Sequence, residues 1–118
     1  KIISEVTIMN ASVKDYEEIM AVITTYLEGG NKNSAAMKPA FHPNAIVNAQ
    51  PAQTLFDAVD EAGETQAIGR IDILDIVKDI ACARVVMEGW HGMNFVDFHH
   101  LMKTDDGWKI VSKIYTQI

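Results

Sequence analysis

From Ala67 to Ile118 apolar residues recur at every second position, broken only by short turn-like stretches. That period fits strands with one buried face and does not fit helices. Four strands are predicted: "AIGRIDILDIV", "ACARVVMEGW", "MNFVDFHHLMK" and "WKIVSKIYTQI". "KDI", "WHGMN" and "TDDG" lie between them, and Asp-Gly is a strong hairpin signal. A meander of antiparallel strands follows.

The last hairpin can be registered from its turn. If "TDDG" closes it, Lys103 pairs with Trp108, Leu101 with Ile110, His99 with Ser112 and Asp97 with Ile114. One face then carries Phe95, Asp97, His99, Leu101, Trp108, Ile110, Ser112 and Ile114. The other carries Val96, Phe98, His100, Met102, Lys109, Val111, Lys113 and Tyr115, and its two lysines mark it as the outer one. Asp97 and His99 become polar intruders on the inner face. On the preceding strand, a three-residue "HGM" loop sets Ala83, Val85 and Met87 beside them. A shorter turn would set Arg84 and Glu88 there, which burial disfavours unless a bulge intervenes. The outer face is apolar enough that a homodimer through it is expected.

The N-terminal half reads as helical. Ser12 and Asp15 form a capping signal. Tyr16, Ile19, Met20, Ile23, Tyr26 and Leu27 then follow at helical spacing, and "EGGN" ends the helix, with Gly30 or Asn31 expected in the left-handed conformation. A short helix is expected across "SAAMKPAF", ended or distorted by Pro39. "HPNA" reads as a turn, "AIVNA" as a short strand, and "TLFDAVDEAG" as a helix stopped by Gly63. Helices followed by a strand meander imply an α+β fold, a curved antiparallel sheet wrapped around the N-terminal helices. At 118 residues the chain is expected to be a single domain over 1–118.

Charge and cysteine content narrow the partners. A net charge of −6 argues against nucleic acid and against anionic membrane surfaces. No apolar run is long enough to span a membrane. Cys82 is the sole cysteine, so no internal disulfide or thiolate metal site can form. This fits a reducing compartment, and a cytoplasmic location is the expectation. The chain begins at Lys1, so an absent leader says little about location.

The order of "YLEGGN", "AFHPNA" and "FVDFHHLMKTDDGWKIVSK" resembles the nuclear transport factor 2-like superfamily, in its lumazine-binding or SnoaL-like branch. "FHPNA" and "DGWKIVSK" carry the resemblance best; residues 50 to 69 match least. It implies a cone-shaped α+β fold with an internal cavity, usually dimeric through the sheet. It does not imply one function, since members include ketosteroid isomerase, scytalone dehydratase, polyketide cyclases and binding proteins. Ketosteroid isomerase-like enzymes carry a carboxylate base just after the turn that follows the second helix. Here that stretch is "NAIVNA", with Asn48 and Ala49, so a steroid-isomerase mechanism is not expected.

Asp97 and His99 are the leading site residues, as ligand anchors or as an acid–base pair, because residues two apart on a strand share a face about 7 Å apart. The alternative is a satisfied polar pair at the rim of the sheet. His42, in "FHPN", is a candidate at the cavity mouth or else a turn-bonded residue. Tyr26 and Trp108 can stack on a flat ring and each brings a polar handle; the alternative for both is core packing. His91 is expected to be solvated, and His100 to face outward. Asp97, His99 and a further histidine are a conceivable metal set, but no metal and no cofactor are assigned. Ser112 lacks a paired histidine and an elbow motif for nucleophilic hydrolysis. The expected function is binding of a small apolar or aromatic molecule in the cone. An acid–base enzyme of the same fold and a dimerising interaction module are the alternatives.

Overall fold

The computed structural model describes residues 12–118; residues 1–11 of the expected 1–118 unit lie outside the described residues. Helix α1 (Val13–Gly30) starts where the Ser12 hydroxyl accepts the Asp15 N–H at 3.1 Å. Ile19, Ile23 and Tyr26 form its buried stripe, whereas Tyr16 is half exposed. Asn31, at φ −85°, ends the helix in the right-handed region rather than the left-handed one. Its side chain instead binds both the N–H and the carbonyl of Ala67, each at 2.9 Å. Gly29 is needed for another reason: a Cβ there would collide with the backbone of Met37. This contact lets α2 (Ser34–Met37) fold back tightly. Its continuation, Lys38–Ala40, tightens into a 3₁₀ turn at Pro39.

Strand β1 (Phe41–Val47) takes in the "HPN" expected as a turn, with an irregular register between Phe41 and Ile46. A turn at Asn48 and Ala49, both at positive φ, leads to the two-residue β2 (Gln50–Pro51). Helix α3 (Gln53–Ala62) follows and is stopped by Gly63 at φ 82°. Strands β3 (Ile68–Val77), β4 (Ile80–Trp90), β5 (Met93–Thr104) and β6 (Gly107–Gln117) form the meander. The sheet order is β2-β1-β6-β5-β4-β3; all pairings are antiparallel except β1 with β6. Buried residues of α1, α3 and the inner sheet face make one core.

Two bulges decide which side chains of β4 and β6 face that core. Strands β4 and β5 are joined by a two-residue turn, His91–Gly92, and not by a three-residue loop. That shorter turn alone would have turned Arg84 and Glu88 inward. An extra residue at Glu88–Gly89, with Gly89 at φ 83°, restores the parity, so Ala83, Val85 and Met87 are the buried set as expected. Between β5 and β6 the expected pairs Lys103–Trp108 and Leu101–Ile110 form. Val111 is then an extra residue, and beyond it the register differs from the expected one. His99 pairs with Lys113, His100 with Ser112, and Asp97 with Tyr115. The inner face of β6 therefore reads Trp108, Ile110, Lys113, Tyr115. Ile114 points outward, 58% exposed, and Lys113 is buried.

Candidate functional site

Between α1, α3 and the sheet lies a cavity of about 260 Å³. Its wall is mostly apolar: Met37, Leu55, Val59, Met87, Trp90 and Phe95 contribute, and Met93 and Ala58 stand at the partly exposed side. The volume is just below the range of about 300–1,000 Å³ usual for ligand pockets, which suits only a small molecule. The polar groups gather on one side, where Tyr26, Asp97, Lys113 and Tyr115 line the wall.

Asp97 is the centre of that cluster. It is 1% exposed, and its Oδ2 accepts the Tyr26 hydroxyl at 2.7 Å and faces His99 Nε2 at 3.1 Å. Among the described residues none donates to Oδ1, and Asp97 is one of the residues lining the cavity. Burial acts to raise the Asp97 carboxyl. The His99 hydrogen bond, the Lys113 charge and the Tyr26 hydroxyl outweigh it and hold the group below the usual carboxylate range. Burial likewise lowers the His99 imidazole despite the adjacent carboxylate. A neutral His99 with its proton on Nε2 donates to Asp97. Its Nδ1 then carries only a lone pair, and that atom is the one buried side-chain polar atom without a partner among the described residues. A protonated His99 would leave a buried N–H unpaired there, which costs more. Burial, and then the Asp97 charge, push the Tyr26 hydroxyl well above its ordinary value, so it remains a donor.

Lys113 completes the cluster. It is 4% exposed; its backbone carbonyl accepts the Asn48 N–H at 3.0 Å, but its amine forms no hydrogen bond among the described residues. Its Nζ lies 4.8 Å from the centre of the Tyr26 ring and 4.6 Å from that of Tyr115. Burial lowers its amine to about 8, and Asp97 resists that fall. Sequence reasoning missed this residue because a one-residue bulge moves it across the sheet. Val111 carries no glycine or proline to announce the bulge, and Lys113 sits in what reads as unbroken alternation.

The other candidates lie elsewhere. His99 is fully buried behind Asp97 and is not on the cavity wall, so it can orient the carboxylate but not touch a ligand. Trp108 is also off the wall. Its indole N–H donates to Asp15 at 3.0 Å, and Lys103 bonds the same oxygen at 3.0 Å. Asp15 and Tyr26 are separated by about 16 Å of helix, so Trp108 plugs the far end of the cone. His42 is partly exposed on β1; its Nδ1 accepts the Asn44 N–H at 3.0 Å, and it borders a separate surface depression beside Phe56. His91 is exposed, contacting the Gly63 carbonyl, and His100 faces outward. Among the described residues no three His, Cys, Asp or Glu side chains converge as a metal set.

Comparison with known proteins agrees with this architecture. A family model described as "Putative lumazine-binding" matches residues 14–116. An NTF2-like protein from Methylobacillus flagellatus superimposes with a TM-score of 0.86 at 30% identity, over 93% of this chain and 97% of that one. Another from Shewanella baltica gives 0.84 at 35% identity, over 92% and 97%. Among characterised sequences, Aldolase FrzH from Cladobotryum sp is 27% identical over 116 residues, covering 86% of this chain and 90% of the relative. The cone, its helices and the family match together place the chain in the nuclear transport factor 2-like superfamily, as a member of the lumazine-binding family.

Proposed function

We propose that this protein holds a small, mostly apolar or aromatic molecule in its cone, anchored at the polar end by Asp97 and Lys113. The observation that carries this reading is the pairing of an apolar wall with a carboxylate oxygen that no group among the described residues bonds. A protein core has little reason to bury a carboxylate and an ammonium on one cavity wall without a ligand to meet them. Tyr26 and His99 are positioning residues here, since both hold Asp97 by Oδ2 and leave Oδ1 unbonded. Trp108 and His42 drop out of the ligand set for the geometric reasons above.

A second reading, acid–base turnover at the same place, is favoured by that free oxygen and by the likeness to a relative named an aldolase. Asp97 would move the proton and His99 would orient it. Asp97→Asn separates the two. Gently purified protein would be searched by native mass spectrometry for a co-purifying small molecule. Under the binding reading, Asp97→Asn retains it about tenfold more weakly, the cost of a lost charge-assisted hydrogen bond, and neither protein converts it. Under the enzymatic reading the variant keeps the molecule but no longer forms product. Equal retention by both proteins, without conversion, would remove Asp97 from the function altogether.

We further propose that a second copy of the chain covers the outer sheet face, where Phe98, Met102 and Ile114 are 52%, 45% and 58% exposed. A purely interacting module, with the cone idle, is the alternative this dimer leaves open.

A further inference from the structure

Among the described residues Lys113 is the one lysine that the fold encloses. The bulge at Val111 turns it inward to line the cavity, the Tyr26 and Tyr115 rings flank its amine, and that amine has no hydrogen-bond partner among the described residues. A charged lysine there gives up its hydration and gains only two ring faces and a carboxylate beyond salt-bridge distance. The same amine in neutral form carries a lone pair on the wall of an apolar chamber. We propose that Lys113 captures a carbonyl compound in this cavity as an imine, so that the ligand class is a small apolar aldehyde or ketone. The inference rests on the cavity being a ligand site.

The chemistry balances without any further reactant. The neutral amine attacks the carbonyl carbon, the C–N bond forms, and the carbonyl oxygen takes the proton that the nitrogen sheds. Asp97, on the same wall, can relay that proton through Oδ1. The carbinolamine hydroxyl then breaks its C–O bond and leaves as water with the second proton from the nitrogen, and the C=N bond closes. Nothing is oxidised or reduced, and hydrolysis reverses the sequence. The amine's depressed affinity for protons, to about 8, keeps the reactive form populated near neutrality. The exposed lysines Lys14, Lys32, Lys38 and Lys78 lack such enclosure.

Benzaldehyde with sodium cyanoborohydride tests this on the intact protein at neutral pH, since the hydride reduces any imine to a stable benzyl amine. Peptide mapping should find the benzyl group on Lys113 at least about tenfold faster than on any other described lysine, because enclosure raises the neutral fraction of this amine. Benzyl alcohol, with the same ring and no carbonyl, should slow the labelling by occupying the cavity. Lys113→Arg should abolish the preferred adduct, and should that variant not fold, the wild-type map decides alone. Labelling spread over exposed lysines with Lys113 spared overturns the inference. If benzyl alcohol still perturbs cavity signals in that case, the ligand-site reading survives and Lys113 is only a cationic anchor. If benzyl alcohol also leaves the cavity unperturbed, both fall.

Discussion

At the scale of single residues the site is a charge problem solved by neighbours. Asp97 is ionised where burial alone would neutralise it, because Tyr26 and His99 donate to one oxygen and Lys113 adds its charge. Lys113 bears the cost. It is held at about 8 in the fold, against about 10.4 for a lysine in an unfolded chain. Between those values the unfolded chain keeps a proton that the folded chain has released, so stability rises with pH through the window. Below it the buried charge costs about 3 kcal/mol, as an order of magnitude. Lys113→Met lacks the effect. Urea unfolding of the two proteins should show the wild type gaining about 2–3 kcal/mol on the variant as pH climbs from about 7.5 to about 10.5. A flat difference would mean that Lys113 is solvated. Asp97 and Tyr26 were legible as inward residues from period and spacing alone. Lys113 was not, because its place depends on one bulged residue with no local signature.

At the scale of elements, boundaries were legible wherever a residue has a strong backbone preference. Ser12 caps α1, Pro39 breaks the second helix into a 3₁₀ turn, and Gly63 stops α3. Elements set by long-range contact were not legible. Asn31 closes α1 by gripping Ala67, thirty-six positions on, and not by adopting a left-handed conformation. Asn48 binds the backbone of Tyr115, donating through Nδ2 at 3.2 Å and accepting through Oδ1 at 2.9 Å. That clamp ties the β1–β2 turn to β6 just past the bulge. Gly29 shows how tight these junctions are. Gly29→Ala would force α1 and α2 apart at Met37, a cavity residue, and should lower stability by about 1–3 kcal/mol. An unchanged urea midpoint would show that the α1–α2 junction can relax without loss.

At the scale of the whole molecule the cone has a plugged end and a receptive end. Trp108, Asp15 and Lys103 seal the first; Trp90, bonded to the Gly30 carbonyl at 2.8 Å, and Phe95 frame the second. The α+β class and the inner and outer faces of β5 followed from the sequence, because alternation on a long strand survives folding. The path of β6 did not. The proposed dimer belongs to this scale: Phe98→Asp should raise its dissociation constant by about a hundredfold or more in sedimentation equilibrium, with the cavity untouched because Phe98 faces away from it. A wild type that sediments as a monomer would remove the dimer.

Whether the cavity takes a ligand can be read from its methionines. Met37, Met87 and Met93 line the wall, whereas Met102 lies exposed on the outer face. With methionine methyls labelled for NMR, a panel of one- and two-ring aromatic molecules should include members that shift the three cavity methyls and leave Met102 in place. The shifts should saturate at lower concentration in the wild type than in Asp97→Asn. A panel that moves none of the three, or moves Met102 as readily as the others, would mean that the cavity is not a ligand site.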